Sequence, residues 1–236
     1  MNRFKWFGLD YGQCLMDSRF RRVEYWLAAV FIDDEDEKRG VIDEKLEVYN
    51  QLLKKYGNFR KLHEHGRHEI HSLILENNRV LIRRFYEVEQ KLLKPAEGVI
   101  DALTYLKKKY SLGVISDMAD SQVIIRFLNH HGLRQFFTNI YTPSGVVREH
   151  GGLDEGFKGT KEDGSIYASL KKELEIMGIQ VNEAVIIGDD PIKDIANAKM
   201  HGFTTVHYVG NNSSTQKPSS EADYVITHFS ELKEKF

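Results

Sequence analysis

Three short apolar runs in this chain each stop on a polar residue. Phe4-Lys5-Trp6-Phe7-Gly8-Leu9 stops on Asp10, Leu112-Gly113-Val114-Ile115 on Ser116-Asp117, and residues 184–187 on Gly188-Asp189-Asp190. Runs of this length suit buried strands of a parallel sheet, whose two faces are both covered. Helical patterns lie between them. Val99, Ile100, Leu103 and Leu106 recur at helical spacing ahead of a basic end, Lys107-Lys108-Lys109, which complements the helix dipole. Residues 121–131 read as a helix closed by Gly132, 166–177 as one ending at Gly178, and 192–201 as one closed by Gly202. Residues 136–141, 204–209 and 224–226 read as further strands, and a short helix ends the chain. The stretch 144–164, rich in glycine and charge, reads as a loop. Strand alternating with helix predicts an α/β fold with a parallel sheet and helices on both faces.

The alternation is interrupted once. Residues 19–94 carry helical stripes and no β-rich segment: Val23, Trp26, Leu27 and Val30, then Leu46, Tyr49, Leu52 and Leu53, then Leu73 to Leu92. A polar run, 33–38, connects the first two, and Gly57-Asn58 punctuates the second. Pro95 and Gly98 mark the return to strand and helix. The chain therefore divides into a core, 1–18 with 95–236, and an inserted all-helical cap, 19–94.

Composition narrows the function. Of 236 residues, 33 are Lys or Arg and 35 Asp or Glu, a net charge of -2, which excludes a general nucleic-acid binder. With the one cysteine, Cys14, no intrachain disulfide forms, in keeping with a reducing compartment. The first apolar stretch is too short for a signal peptide, and none approaches a membrane span. The expectation is a soluble, cytoplasmic protein.

The ends of parallel strands share one edge of the sheet, so Asp10, Ser116, Asp117, Asp189 and Asp190 are expected to converge in one cleft. Clustered carboxylates repel and need a cation. Hard oxygen ligands select Mg²⁺, which keeps several waters and pairs with substrate phosphate. A carboxylate can also act as nucleophile and become an aspartyl-phosphate. Lys161, ahead of the helix at 166–177, offers positive charge for phosphoryl oxygens.

Taken in order, Asp10, Ser116, Lys161 and Gly188-Asp189-Asp190-Pro191-Ile192-Lys193-Asp194 resemble the four motifs of the haloacid dehalogenase superfamily, over the whole chain. The last motif, continuing into Ala196-Asn197-Ala198-Lys199-Met200-His201-Gly202, is the most specific. The resemblance implies a Rossmann-like core with a helical cap and a Mg²⁺-dependent phosphatase acting on a small phosphorylated metabolite, as a monomer or homodimer. It implies that Asp10 attacks phosphorus, and that Asp10, the Gly12 carbonyl and Asp189 hold the metal with Asp190 or Asp194 in support. Ser116, Asp117 and Lys161 would bind the phosphoryl group, with Lys158 as the second candidate for the motif lysine. The cap would close over the substrate and exclude water.

One departure matters. Phosphatases of the superfamily usually carry a second Asp two residues after the nucleophile, as acid and base for the leaving group and water. Here that position is Gly12, followed by Gln13 and Cys14 where Gly and Thr or Val are common. General acid–base help is worth typically ~10²–10⁴-fold. Asp17, a cap residue or the substrate itself would have to supply the proton. Two other readings follow: an impaired family member that binds a phosphorylated ligand or partner, and a metal-free 2-haloacid dehalogenase. The acidic set Asp189, Asp190 and Asp194 argues against the latter. Elsewhere, His63, His65, His68 and His71 cluster, with His68 and His71 spaced to share a metal, though a solvated face is the plainer reading. Arg79, Arg83 and Arg84 form a basic face that could greet an anion, and Cys14 fills space or offers a thiol. Trp6 and Trp26 read as packing residues.

Overall fold

A computed structural model describes residues 3–17, 38–57, 61, 64–210 and 217–236. Trp26, His63 and the stripe from Val23 to Val30 lie outside them. The chain divides into two compact units, 1–17 with 95–236, and 18–94.

The first unit is built on an eight-stranded sheet ordered β10-β9-β8-β1-β4-β5-β6-β7. Its strands are β1 (Trp6–Asp10), β4 (Ser111–Ile115), β5 (Asn139–Thr142), β6 (Gly145–Val147), β7 (Leu153–Asp154), β8 (Ala184–Gly188), β9 (Thr204–Tyr208) and β10 (Tyr224–Ile226). Two short strands, β2 (Met16–Asp17) and β3 (Lys94–Pro95), mark where the chain leaves and returns. Leu15 accepts from the Ala96 N–H at 3.0 Å there. From β10 to β5 the ladders are parallel. Every residue of β1 and β8 is buried, as the continuous apolar runs require.

The chain moves from β1 outward to β4 and β5, then crosses back to β8 on the other side. β1 is therefore the switch point, where open α/β sheets place their ligands. Register aligns the strand ends: Asp10 pairs with Ile115 on one side, and Leu9 with Ile187 on the other. Ser116 and Asp189 thus begin the loops that flank Asp10.

The core packs the sheet against the helix Ser165–Ile176 through Trp6, Tyr141, Ile166, Tyr167, Leu170 and Leu174, all fully buried. A buried leucine of this kind contributes roughly 1.5–3 kcal/mol. The helix stops because Gly178 takes a left-handed φ of +73°, so that Ile179 N–H reaches Leu174 O at 2.9 Å.

Two expectations are corrected. Residues 144–164 are not all loop: β6 and β7 pair antiparallel at the sheet edge. Arg148 fixes the hairpin, bonding Asp154 of β7 at 2.5 Å and Glu173 of the neighbouring helix at 2.7 Å. Residues 192–201 are not one regular helix either. Pro191–Ala196 is a π-helical turn, with Asn197 N–H bonded back to Ile192 O, before a short helix at Asn197–Met200.

The second unit holds helices Lys38–Tyr56, Glu64–Ile74 and Arg79–Leu92. They meet in a cluster of Ile70, Ile74, Leu75 and Phe85, with Leu46, Tyr49 and Leu52 against it. Asn78 caps the third helix, accepting from Val80 and Leu81 N–H at 3.0 and 3.3 Å. Among the described residues no helix is long and apolar enough to cross a membrane.

Candidate active site

Asp10 ends β1, and a tight loop follows it. Leu15 N–H reaches Asp10 O at 3.1 Å and Met16 N–H reaches Tyr11 O at 2.9 Å. To close that loop Gln13 adopts φ +60°, a conformation glycine takes more readily.

Three of the acidic residues converge. One carboxylate oxygen each from Asp10, Asp189 and Asp194 lies within 4.8 Å of the others. Lys161, 3% exposed, joins them: its ammonium bonds Asp10, and Asp194 at 2.6 Å. Burial alone would lower the pKa of this lysine, but Asp10 and Asp194 outweigh it and hold it well above the usual range. Burial, and then the charges of Asp10 and Asp194, push the Asp189 carboxyl up to about 8. Three carboxylates face a single ammonium, so the cluster is short of positive charge. Its donors are all hard oxygens, and it suits a small divalent cation.

The π-helical turn places Asp194. Asp194 comes so close under Gly188 that a Cβ there would strike its carboxylate. The π turn and the bare Cα are local departures that bring a carboxylate to the site. The Asp190 N–H donates to Asp194 Oδ2 at 3.1 Å. The side chain of Asp190 does not join the cluster. It caps the turn, accepting from Ile192 and Lys193 N–H at 2.9 Å each. Of the two expected supporting carboxylates, Asp194 is the one in the cluster, and Asp190 takes a capping role, which its place before Pro191 signals.

Asp117 stands beside Ser116, at the end of β4. Its carboxylate accepts from the Lys161 N–H at 2.6 Å and so holds the lysine loop. Ser116 Oγ sits beside it, accepting from Met118 N–H at 3.1 Å. Of the two candidate lysines, Lys161 reaches the cluster. Lys158 is exposed, and its carbonyl receives Ser169 Oγ at 2.5 Å.

Two residues to which the sequence reading assigns no role act behind the site, although Asn197 falls within the last motif. Asn197 donates to Lys161 O at 2.7 Å, clamping the lysine loop opposite Asp117. His207, fully buried on β9, accepts from Ser219 N–H at Nδ1, 2.9 Å away. Its proton is then on Nε2, which donates to Asp189 O at 2.9 Å.

The remaining candidates are not among the three carboxylates of this cluster. Asp17 is buried on β2. Cys14 is buried, its sulfur 3.8 Å from Ile187 O, and burial followed by Asp10 pushes its thiol pKa up, so it fills space and is not poised as a thiolate. Trp6 is fully buried. In the helical unit, His68 and His71 both approach Tyr86 Oη, at 3.4 and 3.5 Å. Arg83 pairs with Glu87 at 3.0 Å on the surface. Among the described residues the metal-type cluster is the one at Asp10, and neither histidine belongs to it.

Comparison with known proteins agrees with this architecture. A family model for haloacid dehalogenase-like hydrolases matches residues 43–208. Glyceraldehyde 3-phosphate phosphatase of Methanocaldococcus jannaschii is 27% identical over 154 residues, 63% of this chain. The chain spans 59% of the length of that curated relative. A haloacid dehalogenase-superfamily phosphatase from Thermococcus onnurineus superposes with a TM-score of 0.66 at 17% identity, over 98% of this chain and 97% of that one. A 2-haloacid dehalogenase from Pseudomonas syringae pv. Tomato does so at 0.60 and 20%, over 98% and 97%. YfnB of Bacillus subtilis, a hydrolase of the superfamily solved with magnesium bound, gives 0.60 and 17%, over 99% and 98%. At these identities the structures speak for the fold. With the family model matching well over half of its length, the chain belongs to the haloacid dehalogenase-like hydrolases.

Proposed function

We propose that the chain is a Mg²⁺-dependent phosphatase that cleaves a small-molecule phosphate monoester through an aspartyl-phosphate on Asp10. The observation that carries this reading is the convergence of Asp10, Asp189 and Asp194 around the ammonium of Lys161. A dehalogenase attacking carbon has no use for so much uncompensated negative charge. A phosphatase neutralises it with a cation shared with the substrate. The phosphatase relative from Methanocaldococcus jannaschii supports the same choice.

Asp10 attacks phosphorus, the ester P–O bond breaks, and the leaving oxygen takes a proton. Water then attacks the aspartyl-phosphate, releasing phosphate and restoring the carboxylate. Lys161 orients Asp10 and offsets phosphoryl charge. Ser116 Oγ and the Asp117 N–H donate to phosphoryl oxygens. Asp10, the Gly12 carbonyl and Asp189 would hold Mg²⁺ with Asp194 in support, and the ion supplies charge neutralisation. The helical unit, inserted after the first motif, would act as the cap that excludes water.

Gly12 leaves the proton unassigned, and Asp17, a cap residue or the substrate itself would supply it. An unimpaired rate in Asp17→Asn removes Asp17 from that set. Phosphate release from a panel of monoesters, with Mg²⁺ and with EDTA, tests the whole reading. Release that EDTA abolishes is the expected result. No release from any ester, with Mg²⁺ still bound, supports instead a protein that binds a phosphorylated ligand without turnover, the reading Gly12 favours.

A further inference from the structure

Lys193 stands on the π-helical turn that follows β8 and Asp117 on the loop after β4, the two strands that flank β1. Their ion pair, Nζ to Oδ2 at 3.9 Å, therefore reaches across the end of the strand that carries Asp10. The two partners are held unequally. Asp117 is fixed through its other oxygen, which accepts the Lys161 N–H at 2.6 Å. Lys193 is anchored by its backbone, whose N–H bonds Asp190 at 2.9 Å, while its side chain is 42% exposed and the pair is at the limit of ion-pair distance. A flexible lysine stem lets that ammonium move while its Cα stays in place.

Lys161 and Lys193 differ in depth. Lys161 is 3% exposed and belongs to the phosphoryl end of the site. Lys193 lies further toward solvent, its side chain 42% exposed. Its present partner is a carboxylate, and a substrate carboxylate would replace it charge for charge.

We propose that Lys193 is a specificity-determining residue that leaves Asp117 to bind a second anionic group on the substrate, so that phosphate monoesters bearing a carboxylate are preferred over neutral ones. The proposal rests on the phosphatase reading. Asp117 keeps its bond to the Lys161 loop throughout, so the exchange leaves the motif lysine undisturbed.

The test uses 3-phosphoglycerate and glycerol 3-phosphate, which differ in a carboxylate against a hydroxymethyl group. Their dissociation constants are measured by calorimetry with Mg²⁺ on the Asp10→Asn chain, which retains substrate. The expected preference for 3-phosphoglycerate is about tenfold, the size of one charge-assisted hydrogen bond. Adding Lys193→Met brings the ratio to about one, and Lys193→Arg keeps it. The proposal is overturned by a ratio near one before substitution, by a ratio that survives Lys193→Met, or by no binding of either ester. It is also overturned if Lys193→Met weakens both esters equally, which would place Lys193 on the shared phosphoryl group. Failure of the phosphatase reading is seen separately, as absent phosphate release from the native chain while the ratio persists.

Discussion

Lys161 in the core and Lys45 in the helical unit are both buried, 3% and 5% exposed, and both bond two carboxylates. The partners differ. Those of Lys161 are Asp10 and Asp194, with side chains 12% and 2% exposed, while those of Lys45 are Glu44 and Glu76, at 67% and 65%. In the core the charges are withdrawn from water and aimed at one another. In the helical unit the acidic ends remain in water. Removing a partner from the first set strands a buried charge, whereas removing one from the second leaves a solvated carboxylate.

Substitutions can break or sharpen this contrast. Lys161→Met leaves Asp10 and Asp194 without their ammonium. We expect a loss of ~3–5 kcal/mol of stability in denaturant titrations without metal, and phosphate release reduced by at least about a hundredfold. Gly188→Ala drives a methyl group into the Asp194 carboxylate, with an expected cost of ~1–3 kcal/mol. That cost should come with weaker Mg²⁺ binding, measured by calorimetry. In the helical unit Asn78→Ala removes a helix cap and costs ~1 kcal/mol of stability. Arg83→Ala removes the exposed pair with Glu87 and changes stability by less than ~0.5 kcal/mol. An Arg83 effect as large as that of Lys161 would erase the distinction between the two units.

The strands that position the site were legible because their physics is local. A buried parallel strand needs a continuous apolar run, and β1, β4 and β8 each show one ending where the chemistry begins. The cap at Asp190 has a local signal as well, an Asp directly before a proline. Other features were not legible. Asp117 and Asn197 hold the Lys161 loop from 44 and 36 residues away, a contact that no periodicity reports. The β6–β7 hairpin escaped because its strands are three and two residues long, too short for an alternating pattern, and Arg148 stabilises it through tertiary bonds. The π-helical turn at Pro191–Ala196 shares its composition with an ordinary helix. What sets it apart is one hydrogen-bond step, from Asn197 back to Ile192.

The role of Asp10 as nucleophile is tested most directly by acid-quenching a single turnover with Mg²⁺ and mapping phosphoryl groups on peptides by mass spectrometry. The account predicts one phosphoryl group on Asp10, lost under hydroxylamine and absent from Lys161→Met. Phosphate released at full rate by Asp10→Asn, with no labelled Asp10 peptide from the native chain, would contradict it.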